Sequence, residues 1–197
     1  GVRGVGEPEA GGAPFQPGGI CFVWAPVFWE DHVSHAIFFD GQRGEPLVRE
    51  GLEAKLYARG EEIIGVEDGT IDRKLTARHR INYHPGTRLA KSAEIDLVEL
   101  DEGVRTIKLE PKLKFMMKGL GYGHPEWRQG AWKGDLVTGH DSFDPKQLDP
   151  KAPENIHTQQ VVHATDGERE GVGVLEQIVV GPYAPGGFTD YFDGFRP

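Results

Sequence analysis

The sequence predicts an all-β protein, an antiparallel barrel or strongly curved sandwich with very little helix. Two observations carry that expectation. From Ile20 onward the commoner hydropathy period is two rather than 3.6, the mark of strands with one wet face. The 197 residues include 28 glycines, about twice average usage, and 14 prolines. These break the chain at short intervals and leave little room for helices.

The elements follow in order. Residues 1–19 are rich in Gly and Pro and read as an irregular N-terminal arm. Strands are predicted at Ile20–Val27, Val33–Phe39, Gly51–Arg59, Lys74–Tyr83, Ala93–Glu99 and Gly103–Leu109, then at Gly130–Thr138, Ile156–Thr165 and Gly171–Val180. In Lys74–Tyr83 one face would carry Lys74, Thr76, Arg78, Arg80 and Asn82, and the other Leu75, Ala77, His79, Ile81 and Tyr83. Asp40-Gly41, Asp101-Glu-Gly103 and Asp166-Gly167 are hairpin-turn signals. Asp144–Leu148 is the fair helix candidate, because Asp144-Pro145 suits a cap followed by proline at the first helical position. One domain over 20–188 is expected, with 189–197 as a tail; a chain of this size buries about 70% of its unfolded surface.

Composition narrows the partners. The net charge is -9, from 22 basic and 31 acidic residues. That disfavours nucleic acid and an anionic membrane surface. No apolar run reaches the length of a spanning helix, so membrane insertion is not expected. Cys21 is the lone cysteine, so an intrachain disulfide is excluded. A reducing compartment such as the cytoplasm fits this usage. Flanked by Ile20 and Phe22, the thiol reads as buried and inert.

Three groupings hold chemistry-bearing residues. Gly119–Lys133 contains four glycines, Tyr122, His124, Glu126, Trp127 and Trp132. It reads either as a pocket wall or as a loop whose tryptophans plug a barrel end. Within it, Glu126 beside Trp127 could be desolvated into a general acid. Trp24–His35 places Glu30, Asp31, His32 and His35 within six residues, a composition suited to acid–base work. On a strand, His32 and His35 would face opposite sides, which argues against a metal. The third grouping pairs the last two strands. His157 and Gln159 share one face, while Glu176 and Gln177 interrupt an apolar run, so one of the latter two should face the interior and need a partner. A two-residue loop at Asp166-Gly167 would set His157 opposite Glu176; a looser loop would bring it near Val179.

Three strings carry a resemblance: Trp24–His35, Gly121–Gly134, and Val174–Pro182 with Ala184–Phe188. They look like stretches of uncharacterised bacterial proteins distantly similar to the hydroxyneurosporene synthase (carotenoid 1,2-hydratase) and attachment-protein-like superfamily. The resemblance implies a lipocalin-like, calycin-type architecture, often with two domains in tandem, which would make this chain one domain of a longer protein. It also implies hydration chemistry without a redox cofactor.

The leading expectation is therefore a cofactor-independent lyase or hydratase acting on a small apolar or aromatic molecule. Glu126, His124, His32 and Asp31 would be its catalytic groups. Trp24, Tyr122, Trp127, Trp132, His157 and Glu176 would contact the ligand. No cofactor or metal is expected, since no nucleotide-binding motif or strong metal spacing is present. The alternatives are a non-catalytic carrier of a lipophilic molecule and a structural or assembly domain. A second domain or a homo-oligomer is compatible with each.

Overall fold

The structure, a computed structural model, describes residues 19–55, 71–100, 103–116, 126, 132–140, 142, 144–152 and 155–195. Among these, nine strands form one antiparallel sheet: β1 Ile20–Phe28, β2 His32–Gly41, β3 Pro46–Lys55, β4 Ile71–Arg73, β5 Thr76–Tyr83, β6 Ala90–Glu99, β7 Gly103–Met116, β8 His157–Thr165 and β9 Glu170–Val180. Their order is β4-β3-β2-β1-β9-β8-β7-β6-β5. The sheet curves strongly into a half-barrel, so β5 comes back against β2 and β3. There the Phe38 and His79 rings lie 4.7 Å apart, and the Lys74 N–H donates to the Gly51 carbonyl at 2.9 Å.

Period-two patterning builds the core directly. Cys21, Val23, Ala25 and Val27 alternate along β1 onto the inner side and are all buried. Phe38, Leu97, Leu109 and Leu175 meet them there, each contributing about 1.5–3 kcal/mol through removal from water. Burial raises the Cys21 thiol to about 12, though hydrogen bonding with Tyr183 pulls the other way. It is a core residue rather than a nucleophile.

Several local expectations need correction. Asp40-Gly41 ends β2, and the turn lies at residues 42–45. Of the strand expected over Lys74–Tyr83, residues 76–83 form β5, while Lys74 and Leu75 form the break between β4 and β5. The break reverses the pattern there: Leu75 is exposed, and the Lys74 side chain is buried among carboxylates. The described part of Gly130–Thr138 is not a strand. Asp144 does begin a turn, a 3-10 helix over Pro145–Gln147, with its carboxylate accepting the Lys146 N–H at 3.0 Å. The β8–β9 loop has four residues, not two. Gly167 takes a φ of 96°, and the Asp166 carboxylate accepts the N–H groups of Glu168 and Arg169. His157 consequently stands opposite Ile178.

Pro26 lies within the central strand β1, where a missing N–H is normally excluded. Here the β1–β9 ladder skips from Trp24–Glu176 to Val27–Gly173, so the gap falls on that side. Gly173 fits the gap closely: an added Cβ would sit 2.5 Å from the Pro26 carbonyl oxygen. Gly173→Ala should therefore cost about 1–3 kcal/mol by overpacking. Urea unfolding checks this; a midpoint equal to that of the parent would contradict the close fit.

After β9 the chain folds over one end of the half-barrel. Tyr183 pairs with Phe188, whose ring meets Tyr83 edge-on at 5.1 Å. Buried Arg88 ties this segment down. Its guanidinium donates to the carbonyls of Val179, Gly181, Asp190 and Asp193 and lies against the Phe188 and Phe195 rings.

Candidate functional site

The polar groups nearest to acid–base chemistry gather at the end of the half-barrel carrying the β1–β2 and β8–β9 turns. The Trp29 N–H donates to the His32 carbonyl, closing the first of these turns. That closure stacks the Trp29 indole on the His32 ring at 5.9 Å and 18°. His32 Nδ1 lies 2.6 Å from Asp31 Oδ1, and His32 Nε2 lies 3.2 Å from Glu53 Oε1. The imidazole thus sits between an exposed carboxylate and a half-buried one. Ser34 accepts the Trp29 indole N–H at 2.7 Å and donates to Glu53 at 2.8 Å. Arg105 bonds the same Glu53 oxygen, while Lys74 holds the other at 3.0 Å and Glu99 at 2.7 Å.

The electrostatics follow from these contacts. Burial pushes the Glu53 carboxyl up, but hydrogen bonds from Arg105, Ser34 and Lys74 outweigh it and leave the group at about 2. Asp31 is lowered chiefly by its bond with His32. Glu53 is therefore a fixed anion at neutral pH, with the His32 ring between it and Asp31.

A pH dependence follows. With its folded value below the ordinary 4.5, Glu53 stabilises the fold above that value and loses the contribution as pH falls towards 2. The contribution is about 2–3 kcal/mol, allowing for partial solvent screening. Between pH 6 and pH 2.5 the parent should lose most of that contribution, a loss that Glu53→Gln does not share. Parallel losses in denaturant titrations would contradict it.

A second grouping lies on the outer side of the sheet. Trp24 and Glu176 are cross-strand partners. His157 Nε2 lies 2.6 Å from Glu176 Oε1, and the Gln159 amide donates to Oε2 at 3.0 Å. The Trp24 indole N–H donates to His35 Nε2 at 2.5 Å. That bond requires a neutral ring, and burial lowers the His35 value accordingly.

The structure thus brings Trp24, His157 and Glu176 together, and separately joins Asp31 to His32. It sets the two groups on opposite sides of the sheet. His32 and His35 likewise diverge, His32 towards Glu53 and His35 towards Trp24. Glu176 faces outward, while Gln177 is the interior polar residue, 1% exposed. Glu126 is exposed, and Trp132 is 80% exposed. Tyr122, His124 and Trp127 lie outside the described residues. Among the described residues no three His, Cys, Asp or Glu side chains are grouped to hold a metal, and no helix is long and apolar enough to cross a membrane.

Sequence reasoning missed Trp29, Ser34, Glu53 and Arg105. It also missed a sealed interior pair, His79 Nε2 with Asp40 Oδ2 at 2.8 Å, which Arg49 and Tyr183 extend. A signal existed: Ser34 and Asp40 fall on the same alternating positions as Ala36 and Phe38, and so face the core.

Fold and contacts together define a lipocalin-like, curved antiparallel β protein with imidazole–carboxylate pairs on both sides of its sheet. The chain belongs to a family of unknown function, DUF8625, whose model matches residues 1–189. No curated protein and no solved structure matches it.

Proposed function

We propose that this protein is a cofactor-independent lyase or hydratase that uses general acid–base chemistry on a small, largely apolar or aromatic molecule. One observation carries the reading: His32 is held at Nδ1 by Asp31, stacked on the Trp29 indole, with Nε2 facing the Glu53 carboxylate at 3.2 Å. In hydration an acid gives a proton to one alkene carbon, and an imidazole oriented by a carboxylate and walled by an aromatic ring can take the proton released when water adds to the other. The resemblance to the carotenoid 1,2-hydratase superfamily supports the same reaction class.

In this reading His32 moves the proton and Asp31 fixes its tautomer. Glu53, locked by Arg105 and Lys74, sets a standing negative charge beside the ring. Glu126 is the proton donor proposed from the Gly119–Lys133 segment.

The experiment is a ligand screen by tryptophan fluorescence, followed by turnover of each hit. His32→Gln and Glu126→Gln should each bind the hit as the parent does, while cutting turnover about 100-fold or more. Unchanged turnover in a variant removes that residue from the mechanism. Binding without turnover in the parent protein would favour the carrier.

A further inference from the structure

The inner side of the β8–β9 hairpin carries buried polar atoms that the fold does not use. Gln160 is 0% exposed, Gln177 1% and Thr158 3%. The Gln160 amide N–H donates to the Ala90 carbonyl at 2.9 Å, and the Gln177 amide N–H donates to the Arg88 carbonyl. Because both contacts are to carbonyl oxygens, they fix which end of each carboxamide is nitrogen. The oxygens Gln160 Oε1 and Gln177 Oε1 are left buried without a donor, as is Thr158 Oγ1. Thr158 stands directly opposite Gln177, and Gln160 lies one inward-facing position along. The three residues are thus nearest neighbours on the inner side, with Gln160 about 7 Å along the diagonal from Gln177.

Buried oxygens without donors are rare, and one hairpin holding three calls for an occupant. What that occupant must offer follows from the chemistry. Two carboxamide oxygens accept only, so it must donate. The Arg88 guanidinium, engaged by four backbone carbonyls, meets that of Val179, the next inward-facing residue of β9 after Gln177. A positive charge there disfavours an ammonium group or a metal cation. Tyr83, Tyr183 and Phe188 supply aromatic surface at the same end.

We propose that the inner side of the β8–β9 hairpin is a binding site for the hydroxyl group of a neutral alcohol with an apolar or aromatic body, held by Gln160, Gln177 and Thr158. This goes beyond the functional reading above: Gln177 pairs with Val23, several strand residues away from the Trp29–His32 turn, so the hydroxyl site is distinct from the His32 grouping.

The test uses matched pairs with the whole chain: 1-naphthol against 1-methoxynaphthalene, and geraniol against its methyl ether. The readouts are tryptophan fluorescence and thermal shift. Each ether keeps the body and oxygen but lacks the donor. The alcohols should bind at least 10-fold tighter than their ethers. That preference should collapse in Gln177→Met and in Thr158→Val, with circular dichroism showing both variants folded. Gln160→Met provides a third variant should either fail to fold. No binding by either alcohol, equal binding by the ethers, or a preference surviving in the folded variants would overturn the site. So would a crystal structure, grown with an alcohol, in which only water meets the three oxygens. Selective alcohol binding without any turnover would leave this site standing while removing the acid–base reading.

Discussion

Replacing Arg88 with methionine is expected to cost about 3–5 kcal/mol, the largest loss for any single side chain in the clamp over residues 181–195. Arg88 lies between strands β5 and β6 and is 4% exposed. Its donors satisfy four carbonyls, at 2.6 Å to Asp193, 2.8 Å to Asp190, 2.7 Å to Gly181 and 3.3 Å to Val179. Methionine keeps part of the stem's packing but leaves those carbonyls without their charged donor, at about 1–3 kcal/mol for each one that stays buried. Arg88→Lys should recover less than half the loss, because an ammonium lacks the planar fork that reaches several acceptors at once. Urea unfolding measures the loss, and amide hydrogen exchange over 183–195 should speed up. A cost below about 1 kcal/mol with unchanged exchange would show that the segment holds itself in place.

Asp40→Ala is expected to be nearly as damaging, at about 3–5 kcal/mol. Asp40 sits inside the half-barrel with a side chain 3% exposed, facing an equally buried His79. Burial alone would raise its carboxyl, but His79 and Arg49 hold it below its ordinary value. Removing the carboxylate takes the anion from the part-exposed Arg49 and from buried His79, and the acceptor from the Tyr183 hydroxyl. Asp40→Asn keeps the volume and the hydrogen-bonding capacity while deleting the charge, so it should fall between parent and alanine. Guanidinium unfolding of the three proteins tests the order. Equal stability of Asn and Asp would mean that the charge contributes nothing.

The half-barrel was legible because strands declare themselves by alternation. Cys21, Val23, Ala25 and Val27 announce β1, and Ala77, His79, Ile81 and Tyr83 announce β5. Register was harder to read. It depended on how many residues turn at Asp166, and the Asp166 carboxylate closes a four-residue loop by bonding two N–H groups that sequence spacing does not reveal. The His157–Glu176 contact forms all the same, because an imidazole reaches the diagonal neighbour as well as the opposite one. At Lys74 the alternation misled, since two residues of non-strand backbone turned the ammonium inward to Glu53 and Glu99. The site was half legible for the same reason. Asp31 and His32 are adjacent in sequence. Glu53 joins them through β2–β3 pairing, opposite Ser34, and Arg105 of β7 through curvature of the sheet, which no local pattern encodes.

The most direct test of the account is turnover of a screened alkene in deuterated water, with the product analysed by mass spectrometry. Acid–base hydration forms one new carbon–hydrogen bond whose hydrogen comes from solvent. The account expects one non-exchangeable deuteron per product molecule from the parent protein. His32→Gln should form that product about 100-fold more slowly. Product formed without solvent deuterium on carbon, or at an unchanged rate in His32→Gln, would contradict it.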